Sequence, residues 1–265
     1  MAGTPIRIGA VPYLNAVPLV YALEQEASTA YQLTYAEPSV LAQQLRAGEI
    51  DVGLIPIMEY LAGAGERVVP HMSISSRGRA RSVKLFSNKP WDEVRVVAAH
   101  AASRSSAAMA KVLLQEQYGH EVDLRRMEPN VGEMLGCADA ALLIGDPCLA
   151  ATDVEVAHKV DLGAVWDSFT GLPFVYAAWV SATKEPPAGL VETLLEAKRE
   201  GVNSIGEIAK RKARHVGLSQ AEIERYLRVD LNYGLTPAHI EGIRAFADLC
   251  RRHGLLDNIR EVRFA

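Results

Sequence analysis

The 265-residue sequence is poor in cysteine, with three, and in aromatic residues, at 6%, and it has no apolar run approaching the roughly 20 residues of a membrane-spanning helix. Cys137, Cys148 and Cys250 are odd in number and form no CxxC pair, which argues against a disulfide framework and against a thiolate metal site; all three read as buried or inert thiols. Lys and Arg number 28 against 32 Asp and Glu. They are scattered rather than gathered on one face, so the chain lacks an electrostatic footprint for nucleic acid or an anionic membrane. The start, Met1-Ala2-Gly3-Thr4-Pro5-Ile6-Arg7, lacks the basic-then-apolar pattern of a secretory signal, and a cytoplasmic location is expected. There is no GxSxG elbow, HExxH pair, Walker loop or GxGxxG, so covalent hydrolase, zinc protease, nucleotide and dinucleotide chemistry have no support. The seven histidines are dispersed without metal-ligand spacing, although His100 stands close enough to a serine-rich turn to remain a candidate acid or base.

What the chain does have is an ordinary globular composition, 49% hydrophobic and 23% charged, and more length than one core comfortably uses, so two lobes are expected. A strand-then-helix rhythm runs through it. Arg7 to Val11 reads as a buried strand and Leu14 to Gln25 as a helix. Tyr31 to Ala36 is β-rich, and Ser39 is a candidate cap for a helix from Val40 to Ala47 that Gly48 ends. Asp51 to Pro56 is a further apolar run, followed by a short helix and by strands near Val68–Ile74 and Ser82–Ser87. The rhythm restarts at Val94 and continues to a strong strand over Pro173 to Val180. After Pro186-Pro187 only helices are read, a tail that must pack on an existing lobe. These features predict an α/β protein of the type 2 periplasmic-binding-protein kind, with two lobes, a central cleft and a helical C-terminal tail. Lobe one is expected at 1–89 and 173–265, and lobe two at 90–172.

Ligands of α/β sheets collect at the carboxyl ends of strands, which directs attention to the loops there. In Pro12-Tyr13-Leu14-Asn15, the Asn15 amide can meet a ligand or cap the following helix. Ala101-Ala102-Ser103-Arg104-Ser105-Ser106 precedes a long helix, and its free N–H groups form either an anion pocket or a serine-rich cap without a ligand. Ser82, on a strand near a possible crossing, reads by itself as a surface serine. In Leu143-Ile144-Gly145-Asp146-Pro147, Gly145 permits close backbone approach, and Asp146 either contacts a ligand or fixes the turn.

Together, Ile8 to Asn15 with Pro18-Leu19, Gly48 to Pro56, Ser103-Arg104-Ser105-Ser106, Leu143 to Asp146, and Trp166 with Thr170 to Ala177 resemble the chorismate dehydratases of the futalosine route to menaquinone. The resemblance runs in order from residue 6 to about 180. Two departures stand out: Ser105 replaces a threonine, and His100 occupies a place where a smaller or acidic residue is expected. The resemblance implies a cofactor-independent lyase that dehydrates chorismate to 3-[(1-carboxyvinyl)oxy]benzoate by stepwise elimination, with the substrate's own carboxylate taking the proton. It implies catalytic roles for Asn15 and Ser82, and substrate contacts for Tyr13, Leu14, Ile55, Pro56, Ser103, Arg104, Ser105, Ser106, Gly145 and Asp146. Two rivals share the fold. One is the 1,4-dihydroxy-6-naphthoate synthase of the same pathway, which Gly145-Asp146 disfavours. The other is a non-catalytic solute-binding protein for small anions.

Overall fold

The computed structural model of the chain describes residues 4–25 and 29–265; Met1 to Gly3, part of the segment read above for a signal, lie outside them. The first lobe opens with β1 (Ile6–Ala10), α1 (Val17–Gln25), β2 (Tyr31–Tyr35), α2 (Pro38–Ala47), β3 (Val52–Pro56), α3 (Ile57–Leu61) and β4 (Arg67–Ser76). The second lobe holds β5 (Val83–Ser87), β6 (Val96–His100), α4 (Ser105–Tyr118), β7 (Asp123–Met127), α5 (Val131–Cys137), β8 (Ala140–Ile144), α6 (Gly145–Ala150), β9 (His158–Asp161) and α7 (Leu162–Thr170). The chain then returns through β10 (Phe174–Ser181) and ends in α8 (Leu190–Asn203), α9 (Ile205–Val216), α10 (Gln220–Arg225) and α11 (Pro237–Arg252).

The two sheets share one plan, in the orders β2-β1-β3-β10-β4 and β7-β6-β8-β5-β9. In each, three parallel strands are followed by one that runs antiparallel to the third: β10 against β3, and β5 against β8. β3 and most of β8 are buried along their length, as suits parallel strands covered on both faces and as their unbroken apolar runs foretold. Because Val83–Ser87 pairs with β8 and β9, it is a strand of the second sheet. The expected change of lobe at residue 90 is therefore corrected: the chain crosses between Ser76 and Val83. The Asn88-Lys89-Pro90 turn, which suggested the boundary, merely leads from β5 toward β6 within the second lobe.

Other differences have local causes. α2 starts at Pro38 with Glu37 in the capping position, so Ser39 lies inside the first turn; proline at the first helical position is preset for helix and lacks an N–H that would be unpaired there. Gly145-Asp146-Pro147 opens α6 instead of forming an extended loop: Pro147 is the third helical residue, still within the first turn, where the N–H it lacks would have no intrahelical partner. The four-residue β9 is too short to announce itself in the sequence. The tail is not purely helical in its contacts, since Asn232 bridges to Ser75 and Phe264 to Val68, covering the otherwise open edge of β4. Of the thiols, Cys148 and Cys250 are buried, which pushes each up to about 12, while Cys137 is exposed.

Two devices fix the crossings. On the way out, the Asp161 carboxylate accepts from the N–H groups of Ala80 (3.0 Å) and Arg81 (2.7 Å) while also capping α7 through Ala164 N–H (3.2 Å). On the way back, Trp166 of α7, Phe174 of β10 and Phe246 of α11 meet edge to face, with centroids 5.0 to 6.1 Å apart. Beside them Gly242 of α11 lies so close to the return segment that a Cβ would sit 2.2 Å from the Pro173 carbonyl oxygen. Replacing Asp161 with Ala removes a cap and two charge-assisted hydrogen bonds and is expected to cost about 2–4 kcal/mol in urea unfolding. Gly242→Ala must push α11 off Pro173 and is expected to cost about 1–3 kcal/mol, read as a lower thermal midpoint.

Candidate functional site

Between the two sheets lies a concave cleft lined by residues of both lobes, the setting in which small molecules usually bind. Its wall is mostly apolar, with Val11, Leu54, Ile74, Val83, Ile144 and Leu231 contributing. Of the twelve residues singled out from the sequence, eight line it: Tyr13, Asn15, Pro56, Ser82, Arg104, Ser105, Ser106 and Gly145. They arrive from the ends of β1, β3, β6 and β8 and from the first crossing, the places where parallel strands release the chain.

α4 supplies the polar end. Arg104 occupies its capping position with no side-chain cap, and among the described residues the N–H groups of Ser105, Ser106 and Ala107 find no acceptor. A fourteen-residue helix thus points a free, partially positive terminus at the cleft. The reason lies in the turn before it. The Ser103 N–H is spent on the His100 carbonyl at 2.8 Å, while Arg126 donates to the carbonyls of Ala101 (3.2 Å) and Ser103 (3.0 Å). That leaves the following N–H groups open. The Arg104 guanidinium adds positive charge and is itself held 3.3 Å from the Glu59 carboxylate. Burial, followed by the nearby Arg104 charge, lowers the Arg126 pKa.

Asn15 and Ser82 face this end with different commitments. The Asn15 amide oxygen is buried and has no hydrogen-bond partner, so it does not act as the helix cap that was the other reading. Ser82 is 2% exposed; its carbonyl accepts from Gly145 N–H at 2.8 Å, and its hydroxyl meets the Tyr226 phenol at 2.8 Å. Ser82 is therefore a buried wall residue and not the surface serine its sequence context suggested. Gly145 has φ of +64°, a conformation that favours glycine, and it sits against the Tyr13 ring.

Four expected contacts fall elsewhere. Leu14 and Ile55 point into the core at 2% and 0% exposure. Ser103 is fully buried with its hydroxyl unpartnered, and it does not reach the cleft. Asp146 turns from the cleft to accept from Leu14 N–H at 3.1 and 3.3 Å; a carboxylate of the second lobe thereby ties down the first turn after β1. Burial raises its pKa, and the Leu14 N–H pulls the other way. Ser105 lines the cleft, but its hydroxyl is engaged, donating to the Tyr176 carbonyl (2.9 Å) and accepting from Met58 N–H (3.2 Å). What Ser105 offers a ligand is its backbone N–H. His100 is buried beneath the turn, and burial lowers its pKa; it does not line the cleft.

Sequence reading missed Tyr176 and Leu231 in the wall and Tyr226 behind Ser82. Tyr176 lay within the aromatic strand read over Pro173 to Val180, and period-2 alternation could have turned it toward the cleft. Nothing local marks Leu231 or Tyr226. One property of the wall matters for chemistry: among the described residues lining it there is no Asp, Glu, His or Lys. Its tyrosines, Tyr13 and Tyr176, have pKa values raised chiefly by burial.

Comparison with known proteins bears on the fold and the family. A crystal structure from Archaeoglobus fulgidus superposes with a TM-score of 0.74 at 15% identity, covering 97% of this chain and all of the other. The periplasmic aliphatic sulphonate binding protein SsuA of Escherichia coli superposes at 0.63 with 17% identity, covering 99% of this chain and 94% of that one. Both establish the type 2 periplasmic-binding-protein-like fold. A chorismate dehydratase of Thermus thermophilus is 31% identical over 92% of this chain and 94% of its own length. Residues 6–252 match the model of the menaquinone biosynthesis family, and the chain belongs to that family.

Proposed function

We propose that this menaquinone-biosynthesis enzyme removes water from chorismate to give 3-[(1-carboxyvinyl)oxy]benzoate. The observation that carries the proposal is an uncapped helix N-terminus facing a cleft whose described lining holds no Asp, Glu, His or Lys. Similarity to the Thermus chorismate dehydratase supports the same reading.

The chemistry asks for little else. Chorismate loses the proton on C3 and the hydroxyl on C4, and the ring becomes aromatic, so the reaction is strongly downhill without a redox partner. The C3–H bond is vinylogous to the ring carboxylate, and its electron pair can move onto those oxygens as a dienolate. With the ring carboxylate at the N–H groups of Ser105, Ser106 and Ala107, that growing charge meets fixed dipoles in a site mostly lined by apolar groups, where such dipoles are worth most. The Ser82 hydroxyl donates to a substrate carboxylate, and the unpartnered Asn15 amide orients the C4 hydroxyl or the enolpyruvyl group. The enolpyruvyl carboxylate, tethered to C3 through its ether oxygen, takes the C3 proton. The resulting acid returns that proton to the departing C4 hydroxyl, so that water leaves and both carboxylates are restored. The nearby acidic side chains are otherwise engaged: Asp146 with Leu14 N–H, Glu59 with Arg104, and Glu37 with the Tyr13 hydroxyl at 2.7 Å.

Incubation with chorismate, followed by ultraviolet absorbance, is expected to show the diene spectrum replaced catalytically by a benzoate spectrum. A change limited to one equivalent of protein would instead mark a binding protein, and no change would remove chorismate as substrate. Asn15→Ala and Ser82→Ala are each expected to lower kcat/KM for chorismate by about 10²–10³-fold, the size of losing one donor aimed at developing charge. Turnover at the parent rate in both variants would discard this site.

A further inference from the structure

The helical tail reaches the cleft through an unusual turn. α10 ends in a π-helical segment, Tyr226–Asp230, a rare conformation that concentrates at functional sites, and Leu231 directly after it lines the cleft. Both ends of this turn grip the first crossing. At one end, the Tyr226 hydroxyl lies 2.8 Å from Ser82 Oγ. At the other, the Asp230 carboxylate lies 3.6 Å from the Arg81 guanidinium.

The Tyr226 ring is completely buried, and among the described residues Ser82 Oγ is its hydroxyl's partner. A buried phenol finds an acceptor for its proton, which makes Tyr226 the donor and Ser82 the acceptor. The proton of Ser82 is then left with the Ala80 carbonyl at 3.4 Å, at the long limit of hydrogen bonding, or with a ligand oxygen in the cleft. Burial raises the Tyr226 pKa further, so the phenol remains a donor throughout the working pH range. The backbone here is held under strain: Arg81 has φ of +60° inside a tight turn closed by Ser82 N–H to the Ala80 carbonyl at 2.7 Å. Non-glycine residues keep such a conformation only where their surroundings enforce it. Asp161 holds the backbone of the turn, and Asp230 faces its side chain.

We infer that Tyr226 and Asp230 are positioning residues, which together hold the Ser82 hydroxyl with its proton turned toward substrate. The inference rests on the role given to Ser82 above. It assigns to the tail, 144 residues away in sequence, a part in the reaction beyond covering the first lobe.

A double-mutant cycle on the full chain tests it, with chorismate as the probe and ultraviolet absorbance as the readout. Y226F keeps the ring and is expected to lower kcat/KM about tenfold or more, while Y226F/S82A is expected to equal S82A alone, because Tyr226 acts through a hydroxyl that is then gone. Multiplied losses in the double variant, or parental kinetics in Y226F, would overturn the inference while leaving the site standing. Parental kinetics in S82A would instead overturn the role of Ser82 and this inference with it. If chorismate binds without turning over, the proposed reaction falls by itself, and the same cycle is read on its dissociation constant; if it does not bind, both fall. Should Y226F fail to fold, D230N takes its place in the cycle, with the same expectation of no added loss on top of S82A.

Discussion

The constraint on which this molecule depends is that the strand each crossing enters, β5 on the way out and β10 on the way back, is an interior member of its sheet. A chain that leaves one sheet at its edge strand, β4 or β9, and must be inserted between two strands of the other has to cross from sheet to sheet directly. Both crossings are therefore forced past the space between the lobes. Ser82 and Val83 stand at the mouth of one, and Tyr176 and Ala177 soon after the other. The cleft is a product of the topology, and the side chains carried on the crossings face it because there is nowhere else for them to go.

Its chemistry follows from a second consequence of the same plan. The parallel strands β1, β3, β6 and β8 all release their chain toward the opposite lobe, and the helix after β6 therefore begins at the cleft with its N–H groups unpaired. Arg126 and His100 engage the preceding turn from behind, so the polar end is braced by the protein's own hydrogen bonds. That preorganisation is what makes fixed dipoles effective against developing charge. The carboxylates nearby are spent on structure: Asp146 ties the lobes, Asp161 ties the crossing, and Glu59 balances Arg104. A cleft built in this way can receive an anion without presenting one, a property suited to chemistry in which the ligand brings its own carboxylates.

Much of this was legible along the chain. The strands show as unbroken apolar runs such as Val52 to Pro56, a helix end shows at Gly48, and the serine turn before α4 announces a polar terminus. Where the reading went astray, a short-range signal had more than one physical use. Asn88-Lys89-Pro90 is a good turn but joins elements within one lobe. Gly145-Asp146-Pro147 has the composition of a loop and also of a first helical turn. Ser105 has a donor's side chain, yet its hydroxyl is consumed by the backbone of β10 and α3.

The sequence by itself determined most of the strands and helices and that a serine-rich turn at Ser103-Arg104 opens a long helix. It also showed no GxSxG, HExxH, Walker or GxGxxG motif, while leaving His100 as a candidate acid or base. Those properties depend on neighbours a few residues apart, where periodicity, capping and backbone preference act. Tertiary structure alone decided that Ser82 is a wall residue instead of a surface one, that Asp146 bridges the lobes, and that Tyr226 stands behind Ser82. Each of these is a contact between residues more than a hundred positions apart or a burial imposed by the other lobe. No local preference encodes such a meeting; it exists only once both sheets have formed and the tail has closed over the first crossing.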